Sequence, residues 1–467
     1  MATDFRGRIL TAPWIWLGGQ FQHDVRLHID GHGKIVQITK GHNEQTDGTM
    51  NCHLNSLALL PGFVNAHSHA FHRRLRGRSR IGGLGADTFW KWREEMYALV
   101  RHIDFAQMKE IRDVPRFITK NHFYICVDTF REMLAAGITT VGEFHYVHHE
   151  NDDQQQQDNG GLFALDLAVV EAALEVGIRL VLIETLYMRS GFDASGLEAD
   201  QWRFDAKSLD IFCKNVHKLK AKIACSDTVT LALAVHSLRA ASVPAAHQMV
   251  QFALSHRLPL HIHLEEQPAE LEQCAKADER RREPSQLLLQ DILPPSPHSL
   301  HFLTVVHCTY TRRHSLDAHI CVCPCTEGFL GDGVPKLDEN DRICVGTDCN
   351  NRIAIFEELR WLVFCQNMLK NCRNCAALDA TKMIEIGTKN GASSLGLADS
   401  VGEFGVGQWM DFVAIDCRSD RLAHFVGGTA GGDQQLADAI MFGAGNAEIA
   451  LTAVAGKVLF DKRPNEC

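Results

Sequence analysis

The chain has 467 residues, 45% of them hydrophobic and 22% charged, with a formal net charge of −10. That balance describes a globular protein large enough for a sizeable core. It carries no basic footprint for nucleic acid and no apolar run long enough for a transmembrane helix, so neither nucleic acid nor membrane is expected as a partner. Sixteen cysteines fall short of a disulfide scaffold. With no signal-peptide pattern in "MATDFRGRIL", they are expected to be reduced thiols and the protein cytoplasmic.

Residues 1–58 hold short alternating β-like pieces such as "RLHIDGHGKIVQI", with glycine or aspartate at the turns. Eight apolar runs then recur, each ending in polar side chains. They are "LALLPGFVNAHSH", "ITTVGEFHYVHH", "IRLVLIETLY", "VTLALAVHSLR", "LPLHIHLEE", "LHFLTVVHCTY", "HICVCPCTE" and "RICVGTDCNN". Near-continuous apolar runs of this length suit parallel strands buried on both faces. Between and after them, "GLFALDLAVVEAALEVG", "VPAAHQMVQFALSHR" and "FEELRWLVFCQNMLKNC" have helical periodicity. The polar insert "ENDDQQQQDNGG" (150–161) reads as a mobile loop after the second run, without a necessary function. From 403 to 467, "DFVAID" and "AVAGKVLF" return to β-like alternation.

Eight strands alternating with helices predict an α/β chain: a (β/α)₈ TIM-like barrel over 59–402 whose active site lies at the C-terminal strand ends. Residues 1–58 and 403–467 are expected to form a small β-sandwich built from both chain ends. A doubly wound open sheet is the competing topology, but it would gather ligands at one switch point rather than at four separate strand ends.

The strand ends carry the chemistry. His67 and His69 lie two apart and so point to one side of a strand, the beginning of a metal site. In "HIHLEE", His261 and His263 share a face; His263 is nearer the strand end and the better ligand, while His261 reads as a barrel-core histidine. Glu266 follows His263 by three residues, the sixth run ends in His307, and the eighth leads to Asp348. His67, His69, His263 and Asp348 are the expected metal ligands, with Glu266 and His307 beside them. Three imidazoles and a carboxylate suit zinc, and iron or manganese would also fit.

These motifs resemble the amidohydrolase superfamily, metal-dependent hydrolases with this barrel and a β-sandwich from both termini. Two-metal members usually bridge their ions with a strand-four lysine. The third and fourth runs have none, which places the chain with the one-metal, deaminase-rich branch. Within it, "HSHAF", "FWKWREEMY", "EFHYVHH", "LYMRSGF", "HSLRA", "HIHLEEQ", "CPCTEGFLGDG" and "EELRWL" look most like the deiminases of N-formimidoyl-L-glutamate, enzymes of histidine degradation. The resemblance implies one divalent metal per chain, Zn²⁺ ahead of Fe²⁺, and a homodimer. It implies proton transfer by Glu266, with His307 and Asp348 activating water. It assigns substrate binding to Arg93, Tyr146, His236 and Arg239, with His72 beside them, and two guanidiniums suit a dianionic amidine.

Two positions depart from the pattern. His72 stands where the family has glutamine, and Asp348, Cys349, Asn350 replace aspartate, serine, histidine. Both changes are expected near the substrate. "CVCPC" is read as strand-seven core and "CRNC" as reduced core or helix cysteines, because no second metal-knuckle pair lies nearby. Two alternatives remain: the same chemistry on a purine, pyrimidine or other heterocyclic amine, and a catalytically silent scaffold, which would have lost ligands.

Overall fold

A computed structural model describes residues 4–41, 50–78, 88–103, 108, 125–150, 163–294, 300–312, 317–339, 341–425 and 432–463. Each of the eight apolar runs supplies one strand of a parallel sheet: β1 (Phe63–Ser68), β2 (Ile138–His145), β3 (Arg179–Leu186), β4 (Val229–Val235), β5 (Leu260–Leu264), β6 (Leu303–His307), β7 (His319–Val322) and β8 (Arg342–Val345). Most of their residues are buried, as strands packed on both faces require. The sheet closes just beyond β1 and β8, where His69 N–H donates to Asp348 O and Asp348 N–H to His67 O, both at 3.0 Å. The backbone that closes the barrel therefore also carries three expected metal ligands.

The three helices expected from periodicity are Ala164–Val176, Val243–His256 and Ile355–Lys370. Val243–His256 begins at Ser242, whose side chain accepts from Ala245 N–H at 3.3 Å, and has Pro244 in its first turn. It ends at Arg257 in the left-handed conformation. Ser242→Ala should cost about 1 kcal/mol of stability, the usual worth of such a cap. Urea unfolding measures it; an unchanged midpoint would show the helix is held by packing alone.

The chain ends build two sheets. The six-stranded one runs Lys457–Asp461, Ile449–Val454, Phe412–Asp416, Leu57–Pro61, Trp14–Leu17, Gln20–Gln22, so it draws on both ends. The four-stranded one (Ile35–Lys40, Val25–Ile29, Ile9–Thr11, Asn51–His53) is N-terminal throughout. Leu10, Leu27 and Ile35 pack with Ile15, Leu59, Phe412 and Leu451 in one apolar layer. Arg179 ties barrel to sheet through a buried two-pronged contact with Asp411, at 2.8 and 3.1 Å.

Several expectations need correction. The first run is two strands: Leu57–Pro61 pairs with Phe412–Asp416 in the end-built sheet, and only Phe63–Ser68 enters the barrel. The C-terminal flank is not all β. Gly432–Gly443 is a helix, because Leu436, Ala437, Ile440 and Met441 recur at helical spacing and bury with the barrel core. In "CVCPC", β7 stops at Val322 and Pro324 opens a helix, so Cys325 is helical. In "CRNC", Cys372 is exposed beyond the helix end and Cys375 is buried in the following turn. The insert falls outside the described residues after Glu150.

Candidate active site

The four expected ligands meet at the mouth of the barrel. His67 Nε2 lies 3.2 Å from His263 Nε2 and 3.5 Å from Asp348 Oδ1, and His69 Nε2 lies 3.3 Å from the same oxygen. Bonds of about 2.0–2.2 Å to one tetrahedral ion would set such donors roughly 3.3–3.6 Å apart. The second nitrogens of two rings are already engaged: His69 Nδ1 donates to Phe144 O at 2.7 Å and His263 Nδ1 to His236 O at 3.0 Å. This fixes the tautomer and aims each Nε2 lone pair at the shared space. Burial, reinforced by neighbouring imidazoles, holds His69 and His263 well below the ordinary histidine range, so they are neutral as ligands must be. Burial also raises the cost of a charge on Asp348, but the hydrogen bond from His67 and the surrounding imidazoles keep it below the usual carboxylate range. The donor set fits a divalent ion. Three imidazoles and a carboxylate, all buried, converge on one space, the donor chemistry that a divalent cation satisfies.

Gly346 permits this closeness, since a Cβ there would lie 2.6 Å from His67 O and 2.7 Å from His67 Cβ. His307 and Asp348 have left-handed φ values of 74° and 41°. Non-glycine residues hold such angles at a cost, typically where a side chain must be aimed at a site.

Glu266 and His307 complete the reactive end. His307 Nε2 is 3.7 Å from Glu266 Oε1 and 4.0 Å from Asp348 Oδ2. Its Nδ1 meets Glu327 Oε1 at 3.2 Å. Burial disfavours a charge on His307, yet Glu266, Glu327 and Asp348 together push it up to about 10.

Above this floor lies a pocket of about 560 Å³, mouth included, walled by Arg93, Tyr146, His236, Arg239 and His72, with Glu266 at its base. Arg239 reaches within 3.8 Å of Glu266, and Arg93 stands over the Tyr97 ring at 5.3 Å. Burial first, then Arg239 and Arg93, keep His236 neutral. All the expected site residues except His67 line this pocket; His67 is buried beneath it. His261 is a core residue, with its Nε2 against Ser394 O at 3.2 Å.

The departures separate. His72 forms the wall, its Nε2 2.9 Å from the Tyr146 hydroxyl, and Cys349 also lines the pocket. Asn350 does not. Its amide donates to Ser68 Oγ and His69 O at 3.0 and 2.9 Å, bracing the closure of the barrel. Sequence reasoning missed Glu327 and Tyr187, one just past β7 and one just past β3. The strand-end rule applied to β3 would have found Tyr187; Glu327 lies five residues past Val322, within the helix Pro324–Leu330, and carries no such signal. Sequence reasoning also missed Trp92, Tyr97 and Phe204, which give the pocket an aromatic lining.

A closed parallel barrel with converging histidines and an aspartate at its C-terminal rim defines a hydrolase of the metal-dependent barrel class. Residues 58–459 match the amidohydrolase family, and the chain belongs to that family of carbon–nitrogen hydrolases. It is 31% identical over 444 residues to the formimidoylglutamate deiminase of Pseudomonas aeruginosa, covering 90% of each chain. It is 25% identical over 421 residues to a 5-methylthioadenosine/S-adenosylhomocysteine deaminase of Syntrophobacter fumaroxidans, covering 84% of this chain and 80% of that one. An amidohydrolase of Brucella melitensis superposes with a TM-score of 0.81 at 25% identity, over 97% of this chain and 95% of that one. A zinc-bound adenosine deaminase of Xanthomonas campestris shares the fold, with a TM-score of 0.72 at 17% identity over 98% and 94% of the two chains. Among the described residues no helix is long and apolar enough to cross a membrane.

Proposed function

We propose that this hydrolase is a deiminase converting N-formimidoyl-L-glutamate and water to N-formyl-L-glutamate and ammonia, a step of histidine breakdown. The observation that carries the reading is the pair of guanidiniums, Arg93 and Arg239, in one pocket with a proton-transfer carboxylate. A dianionic amidine uses all three features, and the 31% identical relative bears the name of that activity.

His67, His69, His263 and Asp348 would hold one divalent ion, zinc ahead of iron for three imidazoles and a carboxylate. Such an ion lowers the pKa of water from 15.7 toward about 7 and so supplies hydroxide at neutral pH. The chain's residues do the rest. Arg93 and Arg239 anchor the two carboxylates, leaving the formimidoyl carbon above Glu266. As oxygen adds to that carbon, Glu266 takes the water proton and passes it to the terminal nitrogen. His307, positioned by Glu327, stabilises the charge growing on oxygen. The added hydroxyl then gives up its remaining proton, again by way of Glu266, to the same nitrogen; the carbon–nitrogen bond breaks, ammonia departs and the oxygen is left as the carbonyl of a formyl group.

One observation favours the alternative of a heterocyclic amine: Trp92, Tyr97, Tyr146, Tyr187 and Phe204 form walls against which a planar ring could stack. Product analysis tests the preferred reading. N-formimidoyl-L-glutamate should yield ammonia and N-formylglutamate in equal amounts; formamide and glutamate would place the cleaved bond on the other side of the carbon.

His69→Ala should remove one equivalent of bound metal and the ammonia-releasing activity together. Plasma mass spectrometry of wild type and variant measures this. Loss of activity with an unchanged metal count would remove His69 from the ligand set.

A further inference from the structure

A second group of buried donors lies on the outer wall of the barrel, in no contact used above. His145 at the end of β2 and Glu184 on β3 are register partners across the parallel pair. His148 follows three residues later, and Asp166 lies in the first turn of the helix Ala164–Val176 that covers these strands. All four are at most 1% exposed.

The hydrogen bonding leaves the interior of this group short of donors. His148 sets Nε2 against Thr185 O at 3.0 Å and Nδ1 against Asp166 Oδ1 at 2.9 Å, so both ring nitrogens face acceptors. Burial disfavours a charge on this imidazole, yet Asp166 holds it above the ordinary histidine range. His145 Nε2 is 3.3 Å from the same oxygen and has no hydrogen-bond partner. Glu184 sets its carboxylate against that of Asp166, and neither of its oxygens meets a donor. Asn215 Nδ2 lies 3.3 Å from the other Asp166 oxygen. The design repeats that of the catalytic ligands: one imidazole nitrogen of His148 is spent on a main-chain carbonyl while the other faces a shared carboxylate. Two buried carboxylates side by side cannot both stay ionised without a cation; a divalent ion that displaced the His148 proton would leave two carboxylates and two neutral imidazoles to balance its charge.

We propose that His145, His148 and Asp166, completed by Glu184, bind a second divalent metal ion of the zinc class, separate from the catalytic one. His145, His148 and Asp166 already place their donor atoms within 4.8 Å of one another, and mixed nitrogen and oxygen ligands suit zinc, manganese or iron. The ion would clamp the covering helix to β2 and β3. Those strands lead into Tyr146 and Tyr187, so the clamp would brace the pocket wall from behind without touching substrate.

The test is a metal count on the full-length protein equilibrated with micromolar Zn²⁺ and dialysed. Wild type should retain two equivalents. His69→Ala, which disables only the catalytic site, should retain one, and adding Glu184→Gln to it should remove that one. Cobalt(II) bound to folded His69→Ala should show visible absorption from a nitrogen–oxygen site, a readout that needs no substitution in the outer cluster. One equivalent in wild type and none in folded His69→Ala would overturn the proposal: the cluster would then be an imidazolium–carboxylate pair beside a protonated Glu184. The count does not depend on which substrate the pocket hydrolyses.

Discussion

Glu266→Gln is expected to lower kcat by at least about 10²-fold while the metal content stays unchanged. Glutamine keeps the shape of the side chain and can still lie near His307 Nε2, now 3.7 Å from Glu266 Oε1. It cannot accept a proton and return it. Since Glu266 also stands 3.8 Å from Arg239, a change in substrate affinity alone would mean it acts through that arginine. A fall confined to KM, with kcat near normal, would remove it from proton transfer.

Arg239→Met should lower kcat/KM for the dianionic substrate by roughly thirty-fold or more. The side chain is buried in the pocket wall, only 13% exposed, and losing one partner of a desolvated charge pair typically costs about 2–5 kcal/mol. Each 1.36 kcal/mol is tenfold in rate. Arg93 is half-buried on the helix Thr88–Val100, so its loss should cost less because solvent already screens it. A neutral amidine lacks the carboxylates and should be much less impaired by Arg239→Met. Equal losses on charged and neutral substrates would make Arg239 a support of the fold.

The catalytic floor was readable in the sequence because barrel chemistry sits where apolar strands end. His67, His69, His263, His307 and Asp348 all stand within three residues of a strand end, and the same rule separated His263 from the core residue His261. The end of a strand is a local property, visible in one window of sequence. What stayed hidden depends on distant partners. Asn350 reads as a substrate-side substitution until the closure of the barrel places it against Ser68 and His69. Glu327 reads as a helix residue until β7 is seen to stop at Val322 and bring it to His307. The split at Pro61 is equally non-local, since Leu57–Pro61 and Phe63–Ser68 form one apolar run and differ only in which sheet each joins. The aromatic walls come from Trp92, Tyr97, Tyr187 and Phe204 on three separate segments, with no common spacing to announce them.

The most direct measurement compares kcat/KM for ammonia release from N-formimidoyl-L-glutamate with that from 5′-methylthioadenosine and other neutral heterocyclic amines. Two pocket arginines matched to two carboxylates should favour the dianion by at least about 10²-fold, even though the protein's own charge of −10 opposes its approach. Screening over about 8–10 Å at ordinary salt leaves the local cations in control. A neutral heterocycle preferred over N-formimidoyl-L-glutamate would contradict the dianion reading and leave a deaminase of the amidohydrolase family whose pocket recognises rings.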